Sequence, residues 1–306
     1  MTDTQTLSPE AMATARGNLL GLLLLAFGFA LMATVDMIAK YLSQTVHPFQ
    51  IVWFRQIGLL VVAVTFLALK GPGLLRTTRP VLQVVRGSTA VFSALCFITA
   101  ISFVPIADAT AVTFVAPLMA TAMGALFLRE PVGRRRWTAV FLGFVGALIV
   151  IRPGFGVFHP AIGLVAVAAA FFAIRQILSR VIAATDRTST TIVYTGLTSF
   201  VLLSMLQPFV WQWPQDGRMI LLLVVMAVCA AVSEILVIRA FEVAQVAVVA
   251  PMHYSIMIWA TLYGWLIFGQ LPDGWTWAGT ALIFATGIFL IYRERLAARR
   301  ITARRG

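Results

Sequence analysis

The stretch FVPIADATAVTFVAPLMATAMGALFLREP, Phe103 to Pro131, is apolar enough to be buried along its length. Yet it carries Pro105 and Pro117 and ends abruptly in Arg129-Glu130-Pro131. A proline inside a helix removes a hydrogen bond and crowds the preceding turn, at a cost of about 3 kcal/mol. In lipid that cost is tolerable only where protein or a watery cavity meets the freed carbonyl. Pro105 falls in a tight turn between two apolar stretches, where a missing N–H matters little. Pro117 lies inside the segment that follows, and two readings stand for it: a static kink or a gating bend. Arg129-Glu130-Pro131 ends that segment at a polar surface.

Composition identifies the solvent. The chain has 306 residues, of which 60% are hydrophobic and only 11% charged. A soluble domain devotes about a quarter of its residues to charge. A mean hydropathy of +0.94 leaves too little polarity for a water-facing surface. The chain therefore reads as an integral membrane protein. Cys96 and Cys229 sit in apolar runs without CxxC spacing and read as small core residues. Three scattered histidines make no zinc site, so neither a metal nor a cofactor is expected. The formal charge of +12 comes largely from basic residues that punctuate hydrophobic blocks, as in Arg134-Arg135-Arg136 and the tail Arg299, Arg300, Arg304 and Arg305. That placement points to anionic lipid and topology signalling, not to nucleic acid. No cleavable signal is apparent, because the small residues of AMATARG precede the first apolar block.

A membrane-spanning helix needs about 20 mainly apolar residues. That ruler gives ten spans, at 18–41, 47–69, 80–103, 106–128, 137–151, 161–184, 189–211, 219–243, 246–269 and 275–292. Lys70, Arg76, Arg79, Arg134 to Arg136, Arg180 and Arg187 fall at one face, with the basic tail. Lys40, Arg152 and Arg218 fall at the other. The positive-inside rule then places both termini in the cytoplasm. The chain also repeats itself weakly with a shift of 141 residues: Ile51-Val52-Trp53 matches Ile192-Val193-Tyr194, and Phe127, Pro131, Gly133 and Gly146 match Phe268, Pro272, Gly274 and Gly287. The expectation is an all-α membrane protein of two five-helix repeats, 1–151 and 152–306. Five is odd, so the second repeat enters the membrane from the opposite side, an inverted-topology arrangement.

The run CFITAISFVPIADATAVTFVAPLMATAMGALFLREPVGRRRWTAVFLGFVGALIVIRPG, residues 96–154, resembles the third-to-fifth helix block of the drug/metabolite transporter superfamily, EamA type. The matching positions are Ala100, Pro105, Ala107, Ala109, Pro117-Leu118, Leu128, Glu130, Gly143 and Gly146. VWFRQ at 52–56 and VRG at 85–87 fit arginines of the second and third helices. AVVAPMHYSIMIWATLYGWLIFGQLP fits the second half more loosely, with Gln270 where the family commonly has a glutamate. The resemblance implies ten helices in two inverted halves. It also implies a central cavity between helices one to four and six to nine, with five and ten peripheral. The cargoes implied are amino acids, amines, nucleoside-like metabolites and vitamins, among them S-adenosylmethionine and riboflavin.

Ionisable groups inside a membrane helix cost about 2.5–3.5 kcal/mol each on insertion scales, so each needs a reason. Asp36 and Lys40, at i and i+4, either neutralise each other or face a cavity. Arg55 is too deep for easy snorkelling and either meets a substrate carboxylate or pairs with Asp36. Arg175 and Glu234 stand at matching mid-depth in the sixth and eighth helices, as a structural couple or as cavity groups. Arg239 is nearer the surface and can snorkel. His253 is either a packing residue or a polar cavity group. Tyr254, Trp259 and Tyr263 supply aromatic surface near it, and Tyr254 is expected to face the substrate path because its hydroxyl is costly in lipid. Trp211, Trp213, Trp275 and Trp277 read as interfacial belt residues. Gly17-x-x-x-Gly21 allows close helix approach. No HExxH, paired histidines or phosphate-binding glycine loop appears, which weighs against an enzyme and against ATP as energy source. The expectation is a carrier in the cell inner membrane, working by alternating access. Amino-acid-like export leads, and uptake of a vitamin or nucleoside-like metabolite is the alternative. The partners are a small-molecule substrate and the lipid bilayer; the oligomeric state is not written in the sequence.

Overall fold

A computed structural model describes residues 9–127, 133–152, 159–214, 216–244 and 246–302. The expected helix end at Arg129-Glu130-Pro131 lies outside the described residues, as does 153–158 of the following connection. The long helices begin where the sequence supplies starts. Helix α1 (Pro9–Leu42), α2 (Pro48–Lys70) and α3 (Pro80–Ile101) each open on a proline, whose missing N–H is harmless in a first turn. His47 caps α2 by accepting from the Phe49 N–H. Gly71, at φ 78°, ends α2 and leads into a short 3₁₀ turn, η1 (Pro72–Leu75).

The expected 106–128 span is not continuous. It is divided into α4 (Ile106–Thr113) and α5 (Ala116–Phe127), with a turn at Phe114–Val115. Pro117 thus sits in the first turn of α5 and not inside one helix. There the ring needs no hydrogen bond, although the Thr113 carbonyl four residues back has lost its helical donor. Helix α6 (Arg134–Ile151) starts a turn earlier than its apolar run. Its last turn passes to Arg152 in the left-handed conformation, at φ 46°.

Helices α7 (Ile162–Ala183), α8 (Thr188–Val210) and α9 (Gly217–Val243) follow, the last capped by the Asp216 carboxylate on the Met219 N–H. The expected 246–269 span is also interrupted. It consists of a single turn α10 (Val246–Val249), a 3₁₀ segment η2 (Ala250–Ser255) around Pro251, and α11 (Ile256–Phe268). Gly269, at φ 64°, ends α11, and Asp273 caps α12 (Gly274–Thr302) through the Thr276 N–H. Among the described residues, seven stretches are long and apolar enough to cross a membrane: Arg16–Leu42, Pro48–Lys70, Pro80–Ile101, Ile106–Phe127, Ile162–Ala183, Thr188–Val210 and Gly217–Val243. Gly274–Leu290 is a shorter apolar helix.

The helices pair in a pattern that survives exchange of the two halves of the chain. Helix α1 packs on α9 and α3 on α7; α2 packs on α9 and α3 on α8; α5 packs on α7 and α1 on α11. Helices α2 and α8 pack on each other, as do α6 and α12. Long-range contacts also fix direction. A stacked Phe103–His159 pair sets the start of α7 beside the end of α3. The Thr77 hydroxyl donates to Asp186, setting the end of α7 beside the start of α3.

Glycines set the closeness of these pairs. A Cβ at Gly17 would lie 2.6 Å from the Val243 carbonyl oxygen, and one at Gly21 would lie 2.3 Å from the Ala244 Cβ. A Cβ on Gly58 would lie 2.1 Å from the Ala227 oxygen. Gly146 and Gly279 face each other across α6 and α12, so that a Cβ on either meets the other's carbonyl oxygen, at 2.9 Å and 2.6 Å.

Gly279→Val should therefore destabilise the α6–α12 pair by about 1–3 kcal/mol, as overpacking does. Gly163→Ala, at a helical position with nothing within 4 Å, should be neutral or stabilising. Thermal midpoints in detergent, followed by fluorescence-detected size exclusion, separate the two; equal midpoints would show that α6 and α12 are not in close contact.

Candidate functional site

A cavity of about 230 Å³ lies at the centre of the bundle. Its wall draws on both halves of the chain. Asp36 comes from α1, Arg55 and Gln56 from α2, and Arg86, Ser93 and Phe97 from α3. Thr110, Thr113 and Phe114 come from the α4–α5 break. Phe172 and Arg175 come from α7, Thr195 from α8, Ser233 and Glu234 from α9, and His253 from η2. Both helix interruptions thus open on this space. They also touch each other: the Phe114 and His253 rings meet edge to face at 5.7 Å, and Phe29 flanks His253 on another side at 5.3 Å.

Two acids and three arginines share the cavity, a formal sum of −2 and +3, or +1. Their engagements differ. Arg55 Nη1 donates to Asp36 Oδ1 at 3.2 Å, with side-chain exposures of 16% and 10%, so this ion pair is mostly buried. Arg86 donates through Nε to the Ser179 hydroxyl at 2.7 Å and through Nη1 to the Thr195 hydroxyl. Arg175 lies over the Phe172 ring, 4.6 Å from its centroid. Glu234 shares the cavity wall with Arg175 and Arg86, yet it forms no ion pair or hydrogen bond with either.

The sequence expectations fall as follows. Arg55, Arg175, Glu234 and His253 are brought together around the cavity. Arg55 meets Asp36, one of the two partners open to it, whereas the Asp36–Lys40 pair does not form. Lys40 instead donates Nζ to the Ile101 carbonyl, at 2.9 Å, and to the Val104 carbonyl, and lies 5.3 Å from the Phe268 ring centroid. Tyr254 and Trp259 do not line the cavity. Tyr254 packs against Phe114 and Phe284, at 5.2 and 4.5 Å, with its hydroxyl against Gly287. Trp259 neighbours Tyr263, whose hydroxyl bonds the Thr34 hydroxyl at 2.9 Å. Pro117 stands one residue beyond the lining residue Ala116. Arg239 is exposed and paired with Glu242 at 2.9 Å.

Sequence reasoning gave no role to Arg86 beyond a match to VRG, and none to the small hydroxyls Ser93, Thr110, Thr113, Thr195 and Ser233. Several of these bond backbone carbonyls. Ser93 bonds Ala168 O and Ser233 bonds Gly28 O, both at 2.9 Å across helices. The signal available was a polar residue within an apolar helix, which is weak for Ser and Thr because they can satisfy themselves on the preceding turn.

One end of the bundle is tied by polar contacts beyond the cavity. Besides the Lys40 contacts, the Thr276 hydroxyl donates to Asp108 at 3.0 Å, Arg152 pairs with Asp273, and Gln50 and Gln212 bond reciprocally. Partial burial works against the Asp273 charge, but the Thr276 N–H and the Arg152 guanidinium hold its carboxyl below the usual carboxylate range. The exposed Trp213, Trp275 and Trp277 lie at this end too. At the other end Asp186 accepts from Thr77 and, at 2.7 Å, from Gln83. Among the described residues, no group of three or more His, Cys, Asp or Glu is placed to hold a metal ion.

The profile of the EamA-like transporter family matches residues 19–152 and again 159–293. A protein named S-adenosylmethionine uptake transporter, from Rickettsia conorii, is 26% identical over 87% of this chain and 90% of its own. A riboflavin transporter of Vibrio cholerae is 34% identical over 74% of this chain and 76% of its own. A pseudopaline exporter of Pseudomonas aeruginosa is 28% identical over 88% and 95%. A solved protein structure superposes with a TM-score of 0.62, covering 92% of this chain and 99% of that one at 18% identity, a likeness of fold.

The buried Asp36–Arg55 pair generates a stability prediction. Asp36→Asn leaves Arg55 without its counter-charge and should cost about 3–5 kcal/mol. Adding Arg55→Gln removes the stranded charge and should restore much of the loss. Unfolding midpoints of the two variants in detergent decide the matter, and a double variant no more stable than Asp36→Asn would show that the pair is not a unit.

Proposed function

The chain belongs to the EamA-like transporter family, and we propose that it carries a small organic metabolite across the inner membrane by alternating access. The family and the relatives named above are transporters, so the chain is a multi-pass membrane carrier and not an enzyme. In this proposal the leading cargo is an amino-acid-like metabolite, and the direction is export.

The observation that carries this reading is the composition of the cavity wall. It is supplied by both halves of the chain, and it mixes carboxylates, guanidinium groups and hydroxyls with Phe97, Phe114 and Phe172. A cargo that bears charges of both signs and an apolar body suits such a wall. Arg55, Arg175, Glu234 and His253 are its proposed contact groups. Tyr254 supports the wall from behind through Phe114, Trp259 stands off it beside Tyr263, and Pro117 marks the bend between α4 and α5.

Two inverted five-helix repeats, 1–151 and 152–306, are part of the proposal. The double match of the family profile and the exchange symmetry of helix pairing support it. Ten spans follow when α4–α5 and α10–α11 each count as one interrupted span and α6 and α12 count as short ones. The excess of basic residues at 70–79, 134–136 and 180–187 supports cytoplasmic termini.

Uptake of riboflavin or S-adenosylmethionine is the second reading. The phenylalanine surface favours a flat aromatic cargo such as riboflavin, and relatives are named for both substrates. The extra positive charge of the wall works against a cargo of net positive charge, the character of S-adenosylmethionine.

Purified protein in liposomes, tested by uptake and counterflow, should exchange at least one amino acid across the panel of twenty. Exchange of riboflavin with no amino acid moved would select the second reading. Reporters fused to Gly306 and to the N-terminus should both be active in the cytoplasm, and external activity at Gly306 would end the inverted arrangement.

A further inference from the structure

Three of the five charges around the cavity are already occupied by protein. Asp36 and Arg55 hold each other, and Arg86 is spread over the hydroxyls of Ser179 and Thr195. Arg175 and Glu234 are different. The guanidinium lies over the Phe172 ring, and among the described residues it donates no hydrogen bond. No protein donor or acceptor bonds the Glu234 carboxylate among the described residues. The side chains come from α7 and α9, each held by a neighbour at this level. Arg86 of α3 bonds the Ser179 hydroxyl of α7, one turn from Arg175, and Ser233 of α9, next to Glu234, bonds the Gly28 carbonyl of α1. Both line the same cavity, and they do not close into an ion pair.

Glu234 is exposed and Arg175 half-buried on the wall of one cavity, so both charged groups are open to a ligand there. A ligand that places a carboxylate at Arg175 and an ammonium at Glu234 satisfies both. An α-amino acid carries these two groups on one carbon.

We propose that Arg175 and Glu234 form a clamp for the zwitterionic head of an amino-acid-type cargo, Arg175 taking the α-carboxylate and Glu234 the α-ammonium. The clamp rests on the carrier reading above, and it confines head-group recognition to these two residues. Asp36–Arg55 and Arg86 build the wall around it. The side chain of the cargo lies towards Phe97 and Phe114. Selectivity then depends on having both head charges, whatever the side chain.

The test uses the whole protein in liposomes loaded with L-phenylalanine. Counterflow of labelled phenylalanine is measured against unlabelled L-phenylalanine, L-phenylalaninamide (no carboxylate) and 3-phenylpropanoate (no ammonium). Both analogues should compete about tenfold or more weakly than phenylalanine, the loss expected for one charge-assisted hydrogen-bonding partner. In Arg175→Gln the penalty for the amide should vanish while that for phenylpropanoate remains, and in Glu234→Gln the reverse. Where Arg175→Gln fails to accumulate, Arg175→Lys should keep the preference for the carboxylate in weakened form. Equal competition by all three compounds in the wild type, or an unchanged ranking in both variants, overturns the clamp while leaving an amino-acid carrier standing. Exchange of riboflavin but of no amino acid overturns the cargo reading itself and the clamp with it.

Discussion

A backbone carbonyl in the hydrocarbon of a membrane has no water to bond, and this constraint decides where the chain can interrupt a helix. Among the described residues it does so twice, at Phe114–Val115 and at Ala250–Ser255. Both interruptions face the central cavity and meet through Phe114 and His253. The proline at each break is placed where its missing N–H is cheap, in the first turn of α5 and at the start of η2. The cavity is where the backbone can afford polarity, and the polar side chains collect there for the same reason.

Around that space the charges fall into two kinds. Some are closed within the protein, as Asp36 is with Arg55. Lys40 is closed in another way, since its ammonium group is met by backbone carbonyls at the α3–α4 turn and by the Phe268 ring. Others, Arg175 and Glu234, keep bonding capacity open. A buried pair that holds itself offers a ligand little, whereas open groups remain free to bond one. The distinction rests on partners and not on depth.

Much of this was legible in the chain. The apolar ruler puts α2 at 47–69 against the observed Pro48–Lys70, because a lipid-facing helix must be apolar along its whole length. The first interruption is hidden because apolarity is continuous through 114–115 and only Pro117 signals it, whereas the second is marked by Pro251 and the polar run His253-Tyr254-Ser255. Tyr254 reads towards the cavity because its hydroxyl is costly in lipid, yet that hydroxyl lies against Gly287, away from the lining. The segment is 3₁₀, with three residues per turn, so the successive side chains of His253 and Tyr254 leave the axis at angles other than those of an α-helix. Arg55 with Asp36 was readable because both partners are side chains. The Lys40 contacts were not, because backbone carbonyls leave no mark in a side-chain pattern.

The interleaving of the two halves also sets an order of events during synthesis. Asp36 and Arg55 are 19 residues apart and can meet as soon as the first two helices lie in the membrane. Ser233 and the Gly28 carbonyl it bonds are separated by 205 residues. At ribosomal rates of about 5–20 residues per second, α1 waits roughly 10–40 s for that partner. During that time the Gly17, Gly21 and Gly28 face of α1 is open to lipid or to an insertion chaperone. The early ion pair closes Asp36 on Arg55 while the glycine face is still unmatched, whereas Lys40 waits for the Ile101 and Val104 carbonyls. A glycine-faced hairpin holding one internal ion pair thus precedes the rest of the bundle.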